Sequence, residues 1–283
     1  MGYRTKIESL KIRLEDTLQK PKVIENTVVQ EITVTCEKHG EYQTYKRKLL
    51  SLRGMETQGE CPECLREKII ALEQEYQAVE LKRVHQEKLN LLKFFNVPKR
   101  FDMASLDNYE PINSYARQCL AVCKSYAAKW PERLKQGGGL VMCGKPGTGK
   151  NHLAIGIGKS IIENFMASVR LTSAIKIARN FKATWAKDSE ERESDVIEMY
   201  ASPDLLIIDE VGVQFGSDVE KMILFEIINC RYENLKPTIL ISNLPKEELA
   251  TFVGERVMDR MNDGGGCTLT FTWESYRSRR QAA

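Results

Sequence analysis

At 283 residues the chain exceeds the roughly 150 residues expected of one domain, so a core domain with an appendage is the natural organisation. Its 42% hydrophobic and 29% charged residues, with only 9 prolines, exclude a disordered or fibrous polymer, and a net charge of +3 is too small to imply a nucleic-acid partner without a local basic patch. The opening MGYRTKIESLKIRLEDTLQK lacks the apolar region of a signal peptide, and no run of about 18 apolar residues occurs. A cytoplasmic protein with no membrane partner is therefore expected, its 8 cysteines free or metal-bound.

The first chemistry-bearing pattern is a pair of knuckles, CEKH with Cys36 and His39 and CPEC with Cys61 and Cys64, with 21 residues between them. Each two-residue gap lets a tight turn aim both ligands at one ion, while TYKRKLLSLRGMETQ returns the chain as a ribbon. Three sulfurs and one nitrogen suit tetrahedral zinc, Zn2+, and four protein ligands leave no open position for catalysis. A reduced thiol pair at CPEC is the competing reading. A zinc-ribbon-like domain is expected over 1–66. LREKIIALEQEYQAVELKRVHQEKLNLLKFFNVP then supplies helix formers with apolar residues at Ile69, Leu72, Tyr76 and Leu81, ending at Pro98. This predicts a helical linker over 67–97, either a solvated strut or a partner-binding helix, with His85 on its surface.

An ATPase domain is expected over 98–283. GLVMCG is a short buried strand, and NHLAIGIGKSIIENF has helical periodicity, so GKPGTGKN lies between a strand and a helix N-terminus. That context separates a phosphate loop of the G-x-x-x-x-G-K-[ST] type from a chance match. Gly144, Gly147 and Gly149 permit close backbone approach, and Pro146, Thr148 and His152 complete the candidate cradle. Lys150 reaches the β- and γ-phosphates, while Asn151 occupies the place where Ser or Thr would hold magnesium, Mg2+. DLLIIDE predicts a buried strand delivering Asp209 for magnesium and Glu210 to activate water. SVRLTSA adds a strand between these two motifs. PTILISNL ends in Ser242 and Asn243, an amide suited to hold water or sense the γ-phosphate, and CTLTFTW is a fifth strand. GERVMDRM places Arg256 and Arg260 one turn apart on one helical face. They are either fingers reaching a neighbouring subunit's nucleotide or structural partners of Glu255 and Asp259. Arg277 could touch phosphates within its own chain. Cys119, Cys123, Cys143, Cys230 and Cys267 read as core.

From about Phe101 to Arg279 the pieces GKPGTGKNHLA, LLIIDEVGVQ, GERVMDRM and WESYRSR together resemble the DnaC-type replicative helicase loaders of the AAA+ superfamily, with the IstB transposition ATPases as cousins. The resemblance implies an α/β fold: a five-stranded parallel sheet sandwiched by helices, without the usual C-terminal lid, preceded by a small zinc-ribbon domain and helical linker. It implies that Asn151 is a family variant, that Lys150 is the phosphate lysine, and that Asp209 and Glu210 serve magnesium and water. It further implies that Asn243 is the first sensor, Arg256 with Arg260 the finger pair supporting self-association, and Arg277 the second sensor. ATP would act as a switch, slowly hydrolysed, controlling assembly with a hexameric DnaB-type helicase and single-stranded DNA. An IstB-like transposition ATPase, or an adaptor that holds ATP with little hydrolysis, are the alternatives.

DNA contact is expected between the second and third strands, where Arg179, Lys182 and Lys187 could track a backbone and Trp185 or Phe181 stack a base. The competing reading buries both aromatics in the core. Residues 100 to 136, including Tyr115, Cys119 and Cys123, are expected by position to form one wall of the adenine pocket.

Overall fold

The computed structural model describes residues 2–50, 55–212 and 218–276. The chain divides into two compact units, Met1–Gln86 and Glu87–Ala283.

The first unit opens with helix α1 (Tyr3–Leu18), then the strands β1 (Thr27–Cys36), β2 (Gly40–Leu49) and β3 (Glu56–Gln58) form an antiparallel meander. The β1–β2 register runs from Thr27 opposite Leu49 to Cys36 opposite Gly40, so the first knuckle is the hairpin turn itself. Helix α1 was not among the expected elements. Its less exposed positions, 3, 7, 10, 14 and 17, recur at helical spacing, a signal present in the sequence and hidden by the charged residues around it. Helix α2 (Pro62–Phe95) begins inside the second knuckle, with proline in its first turn where the missing N–H costs nothing. Ile69 is buried and Leu72 and Tyr76 half-buried, but Leu81 is exposed, and no residue from 77 to 87 is buried. That stretch is exposed to solvent, His85 included.

The second unit starts in the last turns of α2 and continues through a short 3-10 turn at Lys99–Phe101 to α3 (Ser114–Ala128) and α4 (Trp130–Gln136). It then alternates β4 (Leu140–Gly144), α5 (Lys150–Phe165), β5 (Val169–Ser173), α6 (Ala174–Ala183), α7 (Glu193–Ala201) and β6 (Leu205–Asp209). The closing elements are α8 (Asp218–Glu233), β7 (Thr238–Ile241), α9 (Lys246–Val253), α10 (Glu255–Asn262) and β8 (Cys267–Phe271). The strands make one parallel sheet of order β5-β6-β7-β4-β8. The extra strand β5 lies at the far edge, and β7 separates β4 from β6.

Alternation along the strands feeds two cores. Leu140, Met142, Leu205 and Ile207 pack on one face with residues of α3 and α5, and Val141, Cys143, Leu206 and Ile208 on the other with residues of α6 to α10. Burial on both faces explains why these strands read as continuous apolar runs. Of the cysteines expected in the core, Cys119, Cys123 and Cys143 are buried, whereas Cys230 and Cys267 are only half-buried. At the N-terminal end of the sheet the fully buried Arg231 donates to Thr238 Oγ1 at 2.9 Å and to the carbonyls of Ala201, Pro203 and Pro237 at 2.9, 2.8 and 2.6 Å. This buried guanidinium is satisfied mainly by backbone oxygens, with the Asp204 carboxylate near enough to favour its charge, and it ties the chain ends before β6 and β7.

Candidate nucleotide-binding and metal sites

In an open parallel sheet, ligands are met at the carboxyl ends of the strands. Here those ends open on a cavity of about 600 Å³, lined by residues 146–152 of the glycine loop, Asp209, Glu210, Asn243, Trp273, Tyr276 and side chains between Arg100 and Ile112.

The loop follows β4 directly. Gly149 has φ +98°, and a Cβ there would lie 2.6 Å from the Tyr109 ring, so both backbone conformation and space require glycine. Lys150 is buried, its Nζ donating to Gly144 O and Lys145 O, each at 2.7 Å. Burial lowers its pKa to about 8, against the opposing pull of the Asp209 carboxylate. Thr148 Oγ1 closes the loop on Lys145 O at 2.8 Å.

Asp209 ends β6. Burial pushes its carboxyl up, partly offset by the Glu210 N–H at 2.7 Å and the Asn151 amide, which donates to its other oxygen. The unusual eighth residue of the loop is therefore brought onto the acid 58 positions away, with its amide nitrogen on the carboxylate and its amide oxygen left as the hard donor. Glu210 is exposed to the cavity and holds φ +59°, a left-handed conformation uncommon outside glycine. Asn243 is exposed beside it, while the adjoining Ser242 is buried and donates to Val211 O at 2.6 Å.

His152 lines the cavity but is committed to its wall: Nε2 lies 2.9 Å from both Ser105 O and Asn108 Oδ1, with the Tyr109 ring edge-on. The wall formed by the N-terminal approach is shorter than expected. It comprises residues from 100 to 112; Tyr115 is 65% exposed and outside the cavity, and Cys119 and Cys123 belong to the core below. Sequence reasoning missed Tyr109, a lone aromatic in a loop without periodic context, and gave Trp273 and Tyr276 no role of their own.

Arg256 and Arg260 part company. Arg256 is exposed on α10, whereas Arg260 is half-buried over the rings of Phe225 and Tyr232, at 5.0 and 5.4 Å. Pairing with Glu255 and Asp259 does not form among the described residues; aromatic faces take the place of carboxylates for Arg260. Neither arginine lines the chain's own cavity. Arg277 lies outside the described residues.

The aromatics of the segment expected to contact DNA also separate. Phe181 is buried, but Trp185 is 53% exposed just beyond the end of α6, so the reading that buries both is corrected for Trp185. Its Nε1 donates to Glu193 at 2.6 Å, and Lys182 pairs with Glu220 at 2.8 Å. Arg179 and Lys187 are exposed. Two acidic partners, Glu193 and Glu220, thus hold Trp185 and Lys182.

In the first unit, Cys36, His39, Cys61 and Cys64 place their ligand atoms within 4.8 Å of one another. His39 Nδ1 lies 3.8, 3.6 and 3.3 Å from the sulfurs of Cys36, Cys61 and Cys64, and the Cys36 and Cys64 sulfurs are 3.6 Å apart. A tetrahedron with metal–ligand lengths of about 2.0 to 2.3 Å has edges of roughly 3.5 to 3.8 Å, close to these separations, so the donor set is compatible with zinc. Glu67, which the sequence did not flag, sits one turn along α2 with Oε1 3.3 Å from His39 Nε2, where a carboxylate orients a metal-binding imidazole.

A family model described as IstB-like ATP binding protein matches residues 69–282. The replicative helicase loader DnaC of Buchnera aphidicola subsp. Acyrthosiphon pisum is 38% identical over 173 residues, 61% of this chain and 69% of that one. The replicative helicase loader DnaC of Escherichia coli strain K12 is 34% identical over 175 residues, 62% of this chain and 69% of that one. A crystal structure of the DnaC helicase loader superposes with a TM-score of 0.55 at 25% identity, covering 62% of this chain and 99% of that chain.

Proposed function

The chain belongs to the family of IstB-like ATP-binding proteins, and from that membership we propose that it is an ATP-switched helicase loader for DNA replication. The observation that carries this reading is the convergence of Lys150, the Asn151–Asp209 pair, Glu210 and Asn243 on one cavity, in a chain 38% identical to a replicative helicase loader over 173 residues.

The loop amides and the Lys150 ammonium receive the phosphates, Lys150 leaving the Gly144 and Lys145 carbonyls to do so. Asn151 and Asp209 hold Mg2+, which neutralises charge on the phosphates when bound. Glu210 orients the attacking water, and Asn243 reports the γ-phosphate to β7. Arg256, exposed and away from its own cavity, is suited to enter a neighbouring subunit's site on self-association. Arg260 holds α10 rather than acting as a second finger. Turnover is slow because the Asn151 side chain is bound to Asp209 and must share it with the metal. Cys36, His39, Cys61 and Cys64 hold zinc as a structural centre, and residues 1 to 97 dock on the hexameric helicase. Arg179 and Lys187, with Lys182 and Trp185 once released from Glu220 and Glu193, receive single-stranded DNA.

Light scattering on a size-exclusion column, mixing the protein with the replicative helicase of its own host with and without ATP, tests the reading. A discrete complex dependent on residues 1 to 97 is expected. No complex under any nucleotide condition overturns it in favour of a transposition-type ATPase.

A further inference from the structure

Two side-chain donors from opposite ends of the second unit meet a single carbonyl of the phosphate loop. Tyr109 donates its hydroxyl to Thr148 O at 3.2 Å, and Trp273 donates its Nε1–H to the same oxygen at 3.1 Å. The preceding carbonyl, Gly147 O, accepts the backbone N–H of Tyr276 at 2.9 Å. The Tyr276 hydroxyl in turn donates to Glu110 Oε2 at 3.0 Å, joining the segment after β8 to the one before α3. No element of the nucleotide mechanism uses these contacts.

Their effect follows from peptide geometry. In a trans peptide the C=O and the following N–H point in opposite directions within one plane. Holding Gly147 O and Thr148 O against the aromatic side therefore turns the N–H groups of Thr148 and Gly149 the other way, and successive amides turned to one side form an anion-binding concavity. The Tyr109 ring also presses on the backbone at Gly149, where a Cβ would come within 2.6 Å of it, so the peptide has little room to rotate. Trp273 is itself fixed, 8% exposed and packed on Phe271 at a ring separation of 4.9 Å.

We propose that Tyr109 and Trp273 are positioning residues that pre-set the phosphate-loop amides for ATP, an assignment that rests on the nucleotide reading above. The loop is held by a clamp whose two jaws lie before and after the sheet. Displacement of either jaw lowers nucleotide affinity without touching a phosphate-binding side chain.

The test uses the full-length protein and the variants Tyr109→Phe, Trp273→Phe and the double substitution, each of which keeps an aromatic ring and removes only the donor or the indole. Affinities for ATP and ADP are measured by calorimetric titration, adenosine by competition, and the Gly149 amide by its ¹H–¹⁵N resonance. Each single variant is expected to weaken ATP and ADP about 5-fold and the double variant about 25-fold, the loss of one and two hydrogen bonds. Adenosine, which lacks the phosphates, loses less than ATP does, and the ATP-induced shift of the Gly149 resonance shrinks. Wild-type ATP affinity in the double variant overturns the clamp, as does an equal loss for adenosine, which would mark a general packing defect. Failure of the unaltered protein to bind ATP overturns the nucleotide reading itself and the clamp with it.

Discussion

Around the nucleotide cavity the functional groups come from separate stretches of chain: the loop after β4, the end of β6, the end of β7, the approach before α3 and the segment after β8. The Cys/His cluster comes from two knuckles, one a hairpin turn and the other the start of a helix. Each is supported differently. The nucleotide site rests on a five-stranded sheet with an apolar core on both faces. Among its described residues the first unit buries only Ile7, Cys61, Leu65 and Ile69 as apolar side chains, and one of these is a candidate ligand. A site on a large core can leave its residues free for chemistry, while a small unit needs the site itself to hold it together.

Removing metal gives the largest predicted effect. Structural zinc supplies an apparent free energy of about 10 to 16 kcal/mol in comparable small modules. Chelation, or replacing Cys61 and Cys64 by serine, is expected to unfold the first unit while the second keeps its ATP affinity within about 2-fold. Limited proteolysis and elemental analysis read this together: cleavage between residues 27 and 61 should rise as zinc is lost. A metal-free first unit that resists protease would break the comparison.

A second prediction concerns completeness. The Cys/His set is closed within one unit, whereas the nucleotide cavity contains no arginine from α10. Arg256→Ala should lower turnover of the self-associated protein by about 10³-fold or more, the range of a trans-acting finger, with ATP affinity and melting temperature unmoved. Arg260→Ala should instead lower stability, because Arg260 covers Phe225 and Tyr232. Mixing Arg256→Ala with Glu210→Gln protein should restore part of the activity, since each supplies what the other lacks; no restoration would place Arg256 outside the mechanism.

Within a single chain, Glu210→Gln is expected to keep ATP binding and lose about 10²- to 10³-fold in turnover, the share of a positioned general base. Single-turnover measurements at saturating ATP separate this from a binding defect. Equal turnover in both proteins would remove Glu210 from the chemistry.

Much of this was legible because the informative signals are local. Continuous apolar runs named the strands, the glycine pattern between strand and helix placed the loop, and Cys-x-x-Cys spacing located the second knuckle. The unread parts depend on contacts between distant residues. Nothing near Tyr109 announces that its hydroxyl meets Thr148 O 39 positions away. Arg260 sits one turn from Arg256, and helical spacing treats the two alike; only the packing of α8 separates them, by offering Phe225 and Tyr232 to one of them. Spacing likewise joined Phe181 to Trp185, although α6 ends between them. For α1 the failure was different, since its buried stripe was present in the sequence and only diluted by charge.

The smallest effect lies at the foot of the sheet, farthest in role from either site. Asp204 joins the starts of β5 and β6, accepting from Ser168 N at 2.9 Å and Ser168 Oγ at 2.8 Å and pairing with Lys236 at 2.8 Å. Burial raises its carboxyl pKa, but Lys236 and the two Ser168 donors outweigh burial and hold it below the ordinary value. A carboxyl depressed on folding stabilises the protein above its unfolded pKa, and that stabilisation fades as pH falls through the folded value. Asp204→Asn should therefore cost about 0.5 to 1 kcal/mol at pH 7, discounted for the partial exposure of the pair, and almost nothing near pH 2. Denaturant melts at the two pH values decide this. An equal cost at both would show that the hydrogen bonds alone matter, and that the charge on Lys236 adds nothing.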